Sequence, residues 1–313
     1  MPNGGVVAIQ VAKKGHLEWV MVRKNDQKTL KELKHKFSFH PVDLQDAAPP
    51  LQSHKLSVRD GYLFMILQYP IFDRASKIIH TAELDFFISD NRLVTIDVDG
   101  LAPLQNVFAS FAGTPKYPPT CIATDVPQLL YMILEELTSS VLPMLRHMSA
   151  DVEDIEARLF GKFERNLIKE LLRVKTNIVN VRKAMQGHKA VIRRLIEHSQ
   201  SRYPSIVRLE EYFDQLITNT KDIWDALELQ KDTIDALHET NVSLLDYQTN
   251  ETMKTLTIIS VITFPLTLFA TLFSSRVAGV PLTSNPYGFW ILVIVILLLA
   301  GGMLAYFKKK GWL

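Results

Sequence analysis

The sequence predicts an α+β domain, followed by long helices and then by two transmembrane helices at the carboxyl end. Strand-like runs occupy the amino-terminal part, and long stretches with helical periodicity follow them. The segment from Thr255 to Leu313 contains no Asp, Glu or His, and its only charged residues are Arg276, Lys308, Lys309 and Lys310. These observations predict a chain whose first part is soluble and whose last part lies in a membrane.

The amino-terminal part contains runs rich in β-branched and aromatic residues, which are typical of strands. A helix is expected at residues 25–37, behind Asn25 or Asp26 as the N-cap. The Pro-containing stretch 100–119 is expected to be irregular. The strand-like runs are GVVAIQV, HLEWVMV, SHKLSVRD, GYLFMILQY, AELDFFIS and NRLVTIDV.

Three long helices are expected after Asp125. The first covers residues 125–160, the second covers 166–198, and the third runs from about 206 without Gly or Pro as far as Pro265. The third helix would be about 60 residues and about 90 Å long. Acidic residues are concentrated in the first helix and basic residues in the second. Each run is either a solvated face or a source of attraction between the two helices.

Two segments are apolar and long enough to cross a bilayer, Leu256 to Phe273 and Phe289 to Phe307. At about 1.5 Å per residue each reaches about 27–28 Å, close to the thickness of the hydrocarbon core. The second segment is apolar on every face, which helices of soluble proteins seldom are. A pair of buried soluble helices is therefore the weaker interpretation.

Basic residues flank both segments on the same side. Lys254 precedes the first segment, and Lys308, Lys309 and Lys310 follow the second. The positive-inside rule then places both termini in the cytosol and the loop 274–288 on the other side of a cytoplasmic (inner) membrane. Because two helices cannot enclose a pore, conduction of an ion would require an oligomer.

Composition and motifs argue against several classes of function. The net charge of +2 does not point to nucleic acid. The single cysteine, Cys121, rules out an internal disulfide and a Cys-based metal cluster, which fits the reducing cytosol. The sequence has no P-loop, dinucleotide-binding Gly motif, HExxH or GxSxG, so neither an enzymatic activity nor a catalytic cofactor is expected. The first residues lack the basic start and long apolar core of a signal peptide.

Alternate steps of three and four residues along the first apolar segment select a stripe of small polar and apolar side chains. This repeat is the seam of a left-handed helix bundle. The stripe fits a narrow pore lined by hydroxyls and closed by apolar rings, but it fits a tight contact between helices equally well. Pro265 removes one helical hydrogen bond and is expected to bend the segment. The stripe consists of Asn250, Met253, Leu256, Ser260, Phe264, Thr267, Thr271 and Ser274.

Four stretches together resemble the CorA family of magnesium and cobalt channels, which includes the zinc-transporting ZntB branch. Their order along nearly the whole chain, with two apolar segments at the end, makes the resemblance specific. The stretches are FHPVDLQDA at 39–47, LLYMILEELTSSVLPMLRHM at 129–148, TNETMKTLTIISVITFPLTLFATLF at 249–273 and YFKKKGWL at 306–313.

The resemblance implies a funnel-shaped homopentamer with a cytosolic α/β domain, a stalk helix that becomes the inner ring of a pore, and an outer ring of second spans. It therefore favours the pore interpretation of the stripe. The function it implies is passive transport of a divalent cation, Mg²⁺ or another such as Co²⁺, Ni²⁺ or Zn²⁺, gated by cytosolic divalent ions. The lysines Lys308, Lys309 and Lys310 align with the family's basic ring at the cytosolic mouth.

Asp73 and Glu239 align with the carboxylates of the regulatory metal site that the family forms between subunits. Two carboxylates from neighbouring subunits could share a hydrated Mg²⁺, which prefers oxygen ligands and keeps several waters. The alternative is a pair of exposed acids with no ligand.

The chain departs from the family at the outer end of the pore helix. The family's Gly-Met-Asn triplet aligns with Ser274, Ser275 and Arg276. An arginine carries only donors and a fixed positive charge, so it is a poor partner for the water shell of a cation.

Three hypotheses follow from this departure. The first is a divalent-cation channel in which Arg276 points away and Ser274, Ser275 or Thr271 contacts the ion. The second is a CorA-like membrane protein that does not conduct Mg²⁺ and acts as a sensor, scaffold or regulator. The third is a transporter of another ion, such as zinc or an anion.

The predicted organisation combines these parts in a single order along the chain. It has a cytosolic α/β domain (1–120), long cytosolic helices (121–204), a stalk helix that continues into the first span (205–273), an extracytoplasmic loop (274–288), the second span (289–307) and a basic tail (308–313).

Overall fold

The structure is a computed structural model and describes residues 9–113, 123–159, 161, 166–199, 209–274 and 287–312. The chain divides into two compact units, Met1–Leu237 and His238–Leu313. The first unit contains a mixed sheet with helices packed on it, and the second contains two long apolar helical segments. The predicted α+β class with two apolar helices at the carboxyl end is therefore confirmed.

A six-stranded sheet forms the framework of the first unit. Its strands are β1 (Ile9–Lys14), β2 (Leu17–Val22), β3 (Lys55–Arg59), β4 (Tyr62–Asp73), β5 (Ile78–Ile88) and β6 (Arg92–Asp97). Their order in the sheet is β1-β2-β6-β5-β4-β3. All neighbours are antiparallel except β2 and β6, which are parallel. Within the described residues each strand-like run of the sequence contributes to a strand, and β4 and β5 extend beyond their runs into a long hairpin.

Both faces of the sheet are covered, because successive side chains of a strand point to opposite faces. On one face Trp19 and Phe86 belong to the larger core cluster. On the other face Phe64 and Phe87 belong to a second cluster. The indole N–H of Trp19 donates a hydrogen bond to Oγ1 of the buried Thr95 at 3.0 Å, so these two polar groups are paired within the sheet.

Three short helices lie against the sheet, α1 (Gln27–Phe37), α2 (Pro41–Asp46) and α3 (Ala102–Phe111). Asp26 caps α1, because its carboxylate accepts a hydrogen bond from the Thr29 backbone N–H at 2.8 Å. The expectation of irregular chain at 100–119 is wrong for α3. Leu104 and Phe108 of α3 are buried. Packing against the core therefore stabilises this helix, although its local sequence pattern predicts a helix only weakly. Residues 114–119 lie outside the described part.

The first two long helices of the prediction are each divided, into α4 (Val126–Ser139) and α5 (Val141–Leu159) and into α6 (Leu167–Met185) and α7 (His188–Ser199). The first division is explained by Pro143, which has no N–H to donate to the Ser139 carbonyl. The second division falls beside Gly187, where a Cβ would lie 2.5 Å from atoms of His54. A glycine at this position therefore lets the His54 side chain approach the backbone.

The third predicted helix is continuous. It is α8 (Glu210–Ser274), 65 residues long, and its helical assignment passes through Pro265 without a break. The last helix, α9 (Gly288–Lys309), contains the second predicted span. Both helices are long and apolar enough to cross a membrane, and only 6% of the most apolar window of each is buried within the chain.

Ion pairs join the basic helix α6 to two acidic neighbours. Arg173 on α6 contacts Asp151 of the acidic run on α5 at 3.7 Å, and the reverse pair, Arg158 on α5 with Glu170 on α6, lies at 2.6 Å. On the other side, Lys175 contacts Asp235 of α8 at 2.7 Å and Arg182 contacts Glu228 at 2.5 Å. The attraction inferred between the helices is thus present and also reaches α8. Because these side chains remain partly exposed, each pair contributes about 1 kcal/mol or less.

The motif at residues 39–47 builds a buried ion pair. The His40 side chain caps α2, and Asp43 is placed one turn later with no exposed surface. Arg59 donates to both carboxylate oxygens of Asp43 at 2.9 and 2.6 Å, and the Tyr62 hydroxyl donates to Oδ2 at 2.6 Å. Burial opposes the charge on Asp43, but these hydrogen bonds outweigh it and hold the pKa of the carboxyl below its usual value. The motif is therefore a structural element of the soluble unit.

We predict that Asp43→Asn lowers the free energy of unfolding by about 3 kcal/mol, because it leaves Arg59 and Tyr62 without their charged partner. Thermal unfolding of the full chain in detergent, followed by tryptophan fluorescence, measures the loss. The matched control is Asp154→Asn, which removes the exposed end of a surface pair with Arg158. The control is expected to cost less than about 1 kcal/mol, and equal losses in the two variants would contradict the prediction.

The buried His188 meets the partly buried His54 where β4 faces the junction of α6 and α7. The His54 and His188 rings lie 5.2 Å apart between centroids. His188 is fully buried, and its Nε2 donates to the Gln68 carbonyl at 2.6 Å. Burial lowers the pKa of His54, while burial and the neighbouring His54 together lower the pKa of His188 to about 3. Both rings are therefore neutral in the folded protein near neutral pH.

We predict that His188 makes the protein less stable as the pH falls. The unfolded chain binds a proton on this ring below about pH 6.5 but the folded chain does not. The free energy of unfolding therefore decreases as the pH falls below about 6.5. For His188 the loss amounts to about 2 kcal/mol between pH 6.5 and pH 5. His188→Gln, which keeps a donor for the Gln68 carbonyl, should unfold with a weaker pH dependence than the parent.

The exposed His147→Gln serves as the control, since it should follow the parent at every pH. Thermal unfolding temperatures at several pH values between 5 and 8 provide the comparison. Parallel curves for the parent and His188→Gln would show that the buried ring does not set this dependence.

Candidate functional site

The predicted pore stripe lies on the last part of α8 and is largely uncovered in the single chain. Met253, Leu256 and Phe264 are 59%, 58% and 73% exposed. Off the stripe, Ile259 and Leu268 are similarly exposed at 56% and 59%, whereas Ile258 is buried, so exposure by itself does not distinguish the stripe. A stripe that its own chain leaves open is available to line a pore or to contact other chains. The other exposed members are Asn250, Thr267 and Thr271, and Ser260 is half-buried.

The threonine hydroxyls of the stripe are already bonded to their own helix. Oγ1 of Thr267 donates to the Thr263 carbonyl at 2.8 Å, and Oγ1 of Thr271 donates to the Leu268 carbonyl at 2.9 Å. Because the proton is used in the helix, each oxygen keeps lone pairs that can accept from a water molecule. This arrangement suits the water shell of a cation. Thr257, off the stripe, makes the same kind of bond to the Met253 carbonyl, so the bond itself does not identify a pore.

At the outer end of the stripe, the described part of the chain stops where α8 ends. Ser274 is the last residue of α8. Ser275 and Arg276, which are predicted to replace the rest of the family's triplet, lie outside the described residues. Their predicted place at the mouth of a pore stays a prediction from the sequence.

The basic residues of the carboxyl end close α9. Lys308 and Lys309 are in the last turn of the helix, where cations are favourable because the helix dipole is negative there. Lys310 lies 5.0 Å from the centroid of the Trp312 ring, which in turn stacks on Phe307 at 5.8 Å. All three lysines are exposed in the single chain. They present a positive cluster at one end of the apolar helix.

Asp73, the first of the two predicted regulatory acids, ends β4 at the turn of the long hairpin. Its carboxylate accepts hydrogen bonds from the Ala75 N–H at 2.9 Å, the Ser76 N–H at 3.3 Å and the Ser76 hydroxyl at 2.6 Å. These bonds, with the Ser76 hydroxyl first, lower the pKa of Asp73. The residue is partly exposed, so its carboxylate, which is charged and held by the turn, can still be reached by a ligand from outside.

Glu239, the second predicted acid, lies on α8 and is exposed. It belongs to the carboxyl-terminal unit, whereas Asp73 belongs to the amino-terminal unit. Within the described part of the chain no group of three or more His, Cys, Asp or Glu side chains is placed to hold a metal ion. A metal bound through Asp73 or Glu239 would therefore need ligands from water or from another chain.

Sequence reasoning missed two groups of buried charges. One is the ion pair of Asp43 with Arg59. The sequence indicated residues 39–47 as a family motif, but it did not predict that Asp43 pairs with Arg59. The other is the buried acid Asp85 in β5, near Glu83. The only signal for Asp85 was a carboxylate within the apolar run AELDFFIS.

Comparison with known proteins gives a consistent result across the chain. The family described as CorA-like Mg²⁺ transporter protein matches residues 14–309. The cobalt/magnesium transport protein CorA of Methanocaldococcus jannaschii is 23% identical over 300 residues, covering 95% of this chain and 92% of the relative. That of Thermotoga maritima is 24% identical over 280 residues, covering 88% and 78%.

The structural comparison agrees over the full length. The complete structure of the CorA magnesium transporter from Methanocaldococcus jannaschii superimposes with a TM-score of 0.82 at 20% identity, covering 99% of both chains. At this identity the superposition establishes the fold, and the family match establishes the relationship. The chain belongs to the family of CorA-like Mg²⁺ transporter proteins.

Proposed function

We propose that the chain forms a homopentameric channel for divalent cations in the cytoplasmic membrane, with both termini in the cytosol. Mg²⁺ is the first candidate ion, because the matched family and the two relatives are described as magnesium or cobalt/magnesium transporters. Five copies of α8 would surround the pore and five copies of α9 would form the outer ring. Passive flow down the electrochemical gradient is proposed, because the sequence has no P-loop.

The observation that carries the proposal is the uncovered stripe on α8. Its hydroxyl oxygens at Thr267 and Thr271 are oriented as acceptors by their own helix. Its apolar members Met253, Leu256 and Phe264 would form constrictions that block ions by excluding water. In a pentamer, five copies of the end of α9 would form a positive ring at the cytosolic side. Each copy carries Lys308, Lys309 and Lys310. Such a ring acts on an ion within a Debye length of about 8 Å.

Regulation would act through Asp73 and Glu239 of neighbouring subunits. Asp73 is held in a charged form by its turn, and Glu239 is exposed on the stalk part of α8. A hydrated Mg²⁺ needs only one or two carboxylates, so one acid from each subunit is sufficient. Binding of cytosolic Mg²⁺ there would hold the pentamer closed.

Arg276 supports an alternative in which the protein does not conduct Mg²⁺. One +1/+2 pair at about 7 Å costs about 1 kcal/mol in water and several times more where water is scarce. If five copies of Arg276 face the mouth, the protein acts as a sensor, scaffold or regulator, or it moves another ion such as zinc or an anion. If the side chain points away from the pore, Ser274, Ser275 or Thr271 contacts the hydrated ion.

We predict that stripe positions are reached by water in the assembled protein. In a Cys121→Ser background, Thr267→Cys should react with a water-soluble thiosulfonate about tenfold faster than Leu268→Cys, because only a hydrated thiol ionises readily. The control is well matched, since both positions are exposed in the single chain and differ only by their side of α8. Equal or inverted rates would favour a tight helix contact over a pore.

We predict saturable entry of Mg²⁺ into liposomes that contain the purified protein. Mg²⁺, Co²⁺, Ni²⁺ and Zn²⁺ are offered separately, and Arg276→Asn is measured beside Arg276→Lys. Because the channel proposal has Arg276 pointing away from the pore, Arg276→Asn and Arg276→Lys should both leave Mg²⁺ entry close to that of the parent. A large rise in the asparagine variant alone would instead show that the arginine faces the ion. Absence of any cation flux from a folded pentamer would contradict the channel and support the sensor or regulator.

A further inference from the structure

A cavity in the amino-terminal unit lies beside the middle of the sheet, under the loop that connects α2 to β3. Its volume is about 310 Å³. The wall on the sheet side includes Glu83 and Asp85 from β5, and Asp99 lies at its edge after β6. The loop side is formed by Pro49, Pro50 and Leu51.

Asp85 is the unusual member of this wall. It is 2% exposed, and its Oδ1 has no hydrogen-bond partner. A buried carboxylate without a partner is strongly unfavourable, because desolvation of the charge is not offset. Its neighbour Glu83 accepts a hydrogen bond from the Gln52 backbone N–H but is itself an acid. Burial, and then the charge of Glu83, raise the pKa of Asp85 well above its usual value.

The charges around the cavity leave a negative excess. The acids that act on Asp85 are Glu83 and Asp46, and the base that acts on it is Lys55. Lys55 already forms an ion pair with Asp46. Glu83 also lies within reach of Asp99. A proton or a cation bound in the cavity would offset this negative charge.

The chemistry of the wall selects the kind of cation. The described residues that line it offer carboxylate and carbonyl oxygens but no His or Cys, so the usual ligands of Zn²⁺ are missing. No three acids in the described part converge at ligating distance, which excludes a cage made of protein groups alone. Mg²⁺ keeps several waters and takes one or two carboxylates. Six waters at about 30 Å³ each fit within the available volume.

We propose that this cavity binds a hydrated Mg²⁺ ion within each subunit, with Asp85 and Glu83 as its carboxylate partners. The ion would offset the two acids and tie the 49–51 loop to the sheet. The site needs neither a pore nor a neighbouring subunit, so it is independent of the proposed transport. It is also separate from Asp73, which lies at the far end of β4.

The test is Mg²⁺ binding to the full-length protein in detergent, measured by isothermal titration after removal of divalent ions with a chelator. The parent for this test carries Asp73→Asn and Glu239→Gln, so that the proposed intersubunit site is absent. Adding Asp85→Asn should abolish one binding equivalent per chain or weaken it about tenfold, as expected for the loss of one charged partner. The control Asp60→Asn removes an exposed acid from the β3–β4 turn and should leave the titration unchanged.

A second variant distinguishes a loss of Mg²⁺ binding from a folding defect. Glu83→Gln keeps an acceptor for the Gln52 N–H, so it should fold, and it should weaken the same binding equivalent. The thermal unfolding temperature, recorded with and without Mg²⁺, should rise with Mg²⁺ in the parent and much less in either variant. Unchanged titrations in both variants would overturn the proposal. A parent that shows no Mg²⁺ response, while Asp85→Asn is more stable than the parent without Mg²⁺, would also overturn it and identify a proton as the occupant.

Discussion

The backbone of a chain in hydrocarbon must satisfy its own hydrogen bonds, and this constraint applies to the apolar parts of α8 and α9. It accounts for the unbroken helix through Pro265. The threonine hydroxyls of the apolar segment bond to carbonyls of their own helix, as Thr267 and Thr271 do, which Thr218 and Thr233 also do in the soluble part of α8. A continuous helix with self-satisfied hydroxyls leaves only lone pairs and apolar groups on its surface. The candidate ion pathway depends on this property.

The soluble unit handles charge in two different ways. Asp43 is buried with Arg59 and Tyr62, so its charge is balanced within the chain and the α2 motif is joined to β3 and β4. Asp85 is equally buried but has no such partner. The contrast is informative because both acids are buried, Asp43 on α2 and Asp85 on β5. A balanced pair serves the fold, whereas an unbalanced acid beside a cavity is available for a ligand.

The membrane part contains few charged residues. Between Lys254 and Lys308 the sequence has one charged residue, Arg276, and it has no acid after Glu251. A cation that enters such a pathway would meet dipoles of hydroxyls and carbonyls instead of fixed negative charges. Selection of the ion would then rest on its water shell, which these acceptors can contact without removing it. A single arginine at the mouth of such a pathway would therefore have more influence than a surface charge has elsewhere.

The sequence by itself determined the features that follow from local patterns. The strand runs, the Asp26 cap, the long helix and the two apolar segments were all readable, because periodicity and hydropathy act over neighbouring residues. The order of motifs also indicated the family. The outward stripe on α8 could be listed, although its role needs an assembly that one chain does not define.

Only the tertiary structure decided the features that join distant residues. The close approach of His54 to Gly187, the helix α3 on its core, and the charge state of Asp43 beside Arg59 and Tyr62 all depend on such contacts. The cavity beside Asp85 exists because the 49–51 loop lies next to Glu83 and Asp85, which come more than thirty residues later in the chain. Burial and partnership are set by such contacts, and no local pattern contains them.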